Sequence, residues 1–298
     1  MTSLPKLGYI GIGAMGYGIV LNLRKAGYPV TFAPSRNRSR AESLINKGAR
    51  EAADIPSLAS ECEILFLTVP DSMAVESILM GETGIAPHLR KGQMVVDMST
   101  SHPASTRNIH THLAEMGINF LDAPLTGSRP QSEAGTLTVL CGGTHESFHR
   151  LQPIFAAFSN KAIHVGPVGS GHTLKLINNF LGLSNLAAIS EIIPFVEKSG
   201  IPLETFYDAV SISGGDSKAL QNLMPKILKN NFNINFHLEL GRKDLFYLNQ
   251  IVGSEGVPCP IASTALSVFT MAVAAGLGKR DYTELYRFWK EISGPSQP

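Results

Sequence analysis

Leu7–Gly8–Tyr9–Ile10–Gly11–Ile12–Gly13–Ala14–Met15–Gly16 is the stretch that decides the fold of this chain. Lys6 to Ile10 reads as a short buried strand, glycines follow at once in G-x-G-x-x-G spacing, and a helical run to Ala26 is stopped by Gly27. Val30 to Ala33 reads as the next strand. Strand, glycine turn, helix and strand within about thirty residues form the context in which that spacing has a mechanism. Gly11 makes the tight turn, and Gly13 lets a pyrophosphate reach the backbone beside Ala14 and Met15. Gly16 lets the helix pack close on the sheet, with the phosphates at the helix N-terminus.

The run from Leu7 to Leu23 is uncharged and follows Lys6, so it also has the look of a signal-peptide core or a membrane span. Its five glycines, at 8, 11, 13, 16 and 18, favour the nucleotide turn, and the expectation is a soluble cytoplasmic protein without a targeting segment. A length of 298 residues suits two domains. With 25 basic and 24 acidic side chains the net charge is +1, which is no footprint for nucleic acid or an anionic membrane. Cys62, Cys141 and Cys259 lie far apart, without a C-x-x-C pair. That scatter argues against a disulfide framework or a metal site and fits a reducing compartment.

The end of the second strand selects the cofactor. NAD-binding units usually place an acid there for the adenosine ribose. Here the stretch Ala33 to Ser39 holds no acid, and Ser35, Arg36 and Arg38 suit a 2′-phosphate, since arginine grips phosphate in a fork. NADP, as NADPH in the reductive direction, is therefore expected over NAD; an ordinary solvated turn is the competing reading. Further apolar runs follow at Glu63–Val69, Met94–Met98, Ile118–Leu121, Thr136–Cys141 and Ala162–Val165. Near-continuous apolar strands belong to a parallel sheet covered on both faces. Ligands bind at the carboxyl ends of such strands, so Val69–Pro70, Ser99–Thr100 and the 122–128 turn are expected to line one crevice.

The apolar period becomes helical after the Gly166–Gly169 cluster. The fold expected is an α/β Rossmann-type doubly wound domain over 1–167, followed by an all-α substrate and oligomerisation domain over 168–298. One long helix is expected to reach Gly200, with Pro194 kinking it or ending it near Ile193. Further helices are expected at 203–211, 216–229, 236–252, 261–276 and 281–293, ahead of a polar tail from Gly294 to Pro298. Lys175 and Asn179 stand four residues apart on the first of them and so share a face. An ammonium that exchanges a proton and a carboxamide that holds an oxygen, beside a nicotinamide, make most of an alcohol dehydrogenase. Alone, the same pair also fits a solvated charge on an amphipathic helix. His172, three residues before Lys175, is given no role.

Four blocks in this order resemble the β-hydroxyacid dehydrogenase family: Leu7 to Gly16 with Asn22–Leu23; Asp122 to Gly127 with Gly135–Thr136–Leu137; Gly169 and Gly171 leading to Lys175–Leu176–Ile177–Asn178–Asn179; and Lys243–Asp244–Leu245. The family includes 3-hydroxyisobutyrate dehydrogenase, tartronate semialdehyde reductase and the glyoxylate/succinic semialdehyde reductases; 6-phosphogluconate dehydrogenase is a more distant likeness. The resemblance implies Lys175 as general acid/base, with its pKa lowered by burial or neighbouring charge. It implies Asn179 orienting the same substrate oxygen, and Thr126, Gly127 and Ser128 holding the substrate carboxylate. Thr100 and Lys243 would lie near the cofactor, while Phe236 and Asp244 match the spacing of the family's last block. As plain structure, Phe236 would be a core anchor and Asp244 a surface acid. The resemblance also implies a small hydroxy- or oxo-acid substrate and a homodimer or homotetramer.

Three positions depart from the family. Thr126 replaces a serine, Ser128 replaces the second glycine of a Gly–Gly pair, and Pro194 interrupts the long helix. Ser128–Arg129 looks more like the glyoxylate/succinic semialdehyde reductase branch, with Arg129 either reaching a second carboxylate or pointing into water. The substrate class spans 3-hydroxyisobutyrate/methylmalonate semialdehyde, succinic semialdehyde, glyoxylate and tartronate semialdehyde. An imine reductase is an alternative that Lys175 argues against, since those enzymes place Asp or Tyr there. A non-catalytic NADP-binding oligomeric module is the other.

Overall fold

The computed structural model describes residues 4–294, so the end of the polar tail lies outside the described residues. The chain divides into two compact units, with the division between Lys175 and Leu176.

In the first unit, strands β1 (Leu7–Ile10), β2 (Val30–Phe32), β3 (Arg50–Glu51), β4 (Ile64–Leu67), β5 (Met94–Asp97) and β6 (Asn119–Asp122) lie in the order β3-β2-β1-β4-β5-β6 and are all parallel. This is the doubly wound dinucleotide-binding order, with its switch point between β1 and β4. Beyond β6 the sheet continues through β8 (Leu137–Gly142), antiparallel to β6 and joined by β7 (Leu125–Thr126) and β9 (Ser159–Gly166). β3 and β7 were not expected; each has two residues, too few for any apolar alternation to show.

Successive residues of the central strands go to opposite faces. Tyr9, Ile64, Phe66 and Val96 join one apolar core with Ile19, Leu23, Leu44 and Phe155 from the covering helices. Leu65, Leu67, Val95 and Phe120 join another with Leu58, Val75, Leu79 and Leu113. Both faces are dry, which explains why the strands read as continuous apolar runs.

The division falls within the helix Ser170–Lys198, and the described residues beyond it form further helices at Leu203–Val210, Lys218–Leu228, Leu238–Ser254, Pro260–Ala272 and Leu285–Ile292, with a π-helical turn at Val273–Leu277 and a 3-10 turn at Tyr282–Glu284. Of the two effects expected of Pro194, a kink or an end near Ile193, the end does not occur, and Pro194 lies inside the 29-residue helix. Ile193 and Val196, on either side of it, are buried in the apolar core, and that packing outweighs the backbone bond the ring removes. Ser170–Lys198 and Pro260–Leu277 are also long and apolar enough to cross a bilayer.

Candidate active site

The chain turns at Gly11 with φ +97°, and a Cβ there would stand 2.1 Å from the Thr68 carbonyl oxygen. A Cβ at Gly16 would stand 2.0 Å from the Gly11 carbonyl oxygen, so neither position admits a side chain. Gly13 is different, because a Cβ there meets no atom within 4 Å. Packing does not demand glycine at this place, whereas close approach of a pyrophosphate does. The Gly16–Lys25 helix starts after Met15 with no side-chain cap and no acid in its first turn. Its free N–H groups and dipole favour an anion. These residues fit the diphosphate of a dinucleotide.

Asn22 ties this turn to another part of the unit. Its amide donates to the carbonyls of Gly18 and Ser132, both at 2.9 Å, and Ser132 Oγ donates to the Met15 carbonyl at 2.6 Å. The helix Arg129–Ala134, and the 126–128 turn leading into it, are thereby held against the glycine turn. Within that turn Thr126 pairs with Thr138 of β8. Ser128 donates its N–H to Gln131 Oε1 at 2.7 Å, and its hydroxyl bonds the same oxygen. Both Ser128 donors expected for a substrate carboxylate are thus engaged in a capping box. Arg129 pairs with Glu133 of its own helix at 2.8 Å.

At the carboxyl ends of β4 and β5, Ser99 Oγ accepts the Val69 N–H at 3.0 Å. The buried Asp97 accepts the Ser99 N–H at 2.9 Å and the Ser101 hydroxyl at 2.8 Å. That bond ties the Val69–Pro70 segment to the Ser99–Thr100 segment at the ends of two adjacent strands. At the end of β2, Arg36 is exposed, while Arg38 forms a bidentate pair with Glu51 at 2.7 and 3.0 Å. The acid missing from β2 arrives from the end of β3.

The helix that carries Lys175 begins on Asp122, the last residue of β6. Asp122 is fully buried; its Oδ1 accepts the Gly169 N–H at 2.7 Å and its Oδ2 the His172 N–H at 2.8 Å. Burial pushes the Asp122 carboxyl above the usual range, opposed by neighbouring His172 and by these N–H bonds. The His172 ring lies 2.8 Å from Thr106 Oγ1 through Nδ1 and 3.2 Å from the Ser99 carbonyl through Nε2. The imidazole thus bridges the Ser99–Thr100 segment and the first turn of the helix, a role the sequence did not disclose. Lys175, one turn further on, is half-buried.

Asn179 follows Lys175 by one turn on the same helix and is also half-buried. Its Nδ2 donates to Asp244 Oδ2 at 2.6 Å. Asp244 is not a surface acid: it is 2% exposed, and Lys243 Nζ stands 3.2 Å from its Oδ1 in an ion pair without hydrogen-bond geometry. Lys243 also sits 5.2 Å from the centre of the Tyr247 ring. Phe236 packs edge-on against Tyr282 with ring centres 5.6 Å apart, at the margin of the helical unit's core. Among the described residues no three His, Cys, Asp or Glu side chains converge as metal ligands.

Residues 6–166 match the NAD-binding domain of 6-phosphogluconate dehydrogenase, and residues 169–289 match the NAD-binding region of NADP-dependent 3-hydroxyisobutyrate dehydrogenase. The chain belongs to the β-hydroxyacid dehydrogenase family. This hydroxyacid dehydrogenase is similar to 2-(hydroxymethyl)glutarate dehydrogenase of Eubacterium barkeri, with 32% identity over 99% of this chain and 98% of the relative. It is as similar to L-threonate dehydrogenase of Escherichia coli K12, with 32% identity over 97% and 96%. The crystal structure of 3-hydroxyisobutyrate dehydrogenase from Salmonella typhimurium superposes with a TM-score of 0.86 at 29% identity, over 95% of this chain and 99% of that one. The enzyme is accordingly an oxidoreductase for CH–OH groups of hydroxy acids, with a nicotinamide cofactor.

Proposed function

We propose that this enzyme is an NADP-dependent dehydrogenase/reductase for a short β-hydroxy acid and its aldehyde acid, with Lys175 as general acid/base. The observation that carries the reading is the placement of Lys175 and Asn179 one turn apart on a helix whose first turn is clamped by Asp122. In oxidation, neutral Lys175 takes the hydroxyl proton; in reduction, charged Lys175 returns it to the carbonyl oxygen. A bound nicotinamide supplies or accepts the hydride at the carbon bearing that oxygen. With one amide hydrogen of Asn179 held by Asp244, the other is assigned to the substrate oxygen. Asp244 thus acts through Asn179 rather than on the substrate. Thr126 and the Gly127 N–H remain the candidates for the substrate carboxylate, since Ser128 is engaged by Gln131.

Ser35, Arg36 and Arg38 support the choice of NADP, Thr100 and Lys243 are assigned to the nicotinamide side, and the domain boundary is assigned to 167/168. The apolar residues exposed on the long helices, among them Leu181, Phe195 and Ile261, support a homodimer or homotetramer. The kinship to metabolic dehydrogenases supports a cytoplasmic location. The test is NADPH oxidation, followed by absorbance, with glyoxylate, succinic semialdehyde, tartronate semialdehyde and methylmalonate semialdehyde. Turnover of at least one is expected, and binding of NADPH without turnover of any short aldehyde acid would overturn the reading.

A further inference from the structure

Glu51 ends β3 beside the end of β2, with Phe32 and Glu51 in register across the two strands. Its Oε1 accepts the Ser35 N–H at 3.1 Å and an Arg38 N–H at 2.7 Å, and its Oε2 accepts the other arm of the Arg38 fork at 3.0 Å. The Glu51 side chain is 18% exposed against 54% for Arg38, so the carboxylate is the fixed member of the pair and the guanidinium comes to it. Ser35 and Arg38 are two of the three residues assigned above to the 2′-phosphate. The donors offered to that phosphate already carry a carboxylate, and an incoming phosphate must share or displace it against its charge. The bond to Arg38 holds the Glu51 carboxyl below the usual range, so it stays ionised at neutral pH. Of the neighbouring charges, Arg50 is turned to Glu61, which leaves the Arg38 guanidinium as the partner of Glu51. A ribose that carries only hydroxyls meets no such obstacle, because a hydroxyl can donate to the carboxylate.

We propose that Glu51 is a specificity-determining residue for the cofactor: its carboxylate competes with the 2′-phosphate for Arg38 and the Ser35 amide, and so holds down the preference for NADP over NAD. The inference rests on the placement of the adenosine end of the cofactor at Ser35–Arg38. Glu51 does its work at a distance from the reacting atoms, so it changes affinity and kcat/KM for the cofactor without changing the chemical step.

The experiment is fluorescence titration of the full-length enzyme with NADPH and NADH, with steady-state kcat/KM for both, on the wild type, Glu51→Gln and Arg38→Ala. Glutamine keeps the shape and an acceptor oxygen while removing the charge. The NADPH-to-NADH affinity ratio is expected to rise roughly three- to tenfold in Glu51→Gln, the size of one like charge removed from a partly screened site. Maximal rates should stay unchanged, and Arg38→Ala should weaken NADPH more than NADH. A ratio that stays level or falls in Glu51→Gln, while Arg38→Ala still weakens NADPH, would overturn the competition alone and make Glu51 a scaffold that presents Arg38. Unchanged affinities in Arg38→Ala would overturn the underlying placement as well.

Discussion

In the proposed mechanism the Asn179 carboxamide serves the substrate oxygen only as far as it is held in place. The Asn179 carboxamide is fixed by a 2.6 Å bond to a buried carboxylate, Asp244. Alanine at Asn179 removes the group, whereas alanine at Asp244 leaves it in place but free to rotate away. Each single change is expected to lower kcat/KM, and the double change should be little worse than Asn179→Ala alone. The coupling expected is about 1.5–3 kcal/mol, the range of a hydrogen bond to a charged partner. Strictly additive losses in that double-mutant cycle would separate the two residues. Lys and Asn four apart were legible in the sequence because a helix puts them on one face. Asp244 was legible only as a spacing; that it supports Asn179 depends on a contact 65 residues away in the chain.

At the scale of the element, the start of the Ser170–Lys198 helix is the joint that matters. Asp122 accepts two N–H groups there, as an N-terminal anchor reaching in from the neighbouring strand. Asp122→Ala leaves both donors buried without partners and is expected to cost about 2–4 kcal/mol in urea unfolding. Asp122→Asn keeps one acceptor oxygen and should cost less. The pH dependence follows from the raised carboxyl pKa. Its contribution to stability is complete below the unfolded value of 3.8 and is lost as pH rises through the higher folded value. The deficit of Asp122→Asn relative to the wild type should therefore be largest in acid and smallest near neutrality. A deficit that grows with pH would contradict the burial argument. The strand-end rule placed Asp122 at the crevice, but its capping role was not legible, because Gly169 and His172 lie far along the chain.

For the molecule as a whole, the parts legible in the sequence were those with short-range signals. The glycine spacing after β1 and the doubly apolar strands announced the nucleotide-binding sheet, and the change of period after Gly166 announced the helices. What escaped was made by pairings across space. Glu51 carries no signal beside Arg50 in a two-residue strand, yet it faces Arg38 and Ser35 across the sheet end. Gln131 looks like any polar helix residue until it takes both donors of Ser128. Pro194 announced a kink or an end, and the helix runs on past it to Lys198 with Ile193 and Val196 buried on either side. In the proposed reaction Lys175 moves the proton while hydride passes to or from the bound nicotinamide. Lys175→Met isolates that proton, read by NADPH titration and by single-turnover rates with the best aldehyde acid. Cofactor affinity should stay within error of the wild type, with turnover lower by about 10²–10⁴. A variant that binds NADPH and turns over at the wild-type rate would contradict it.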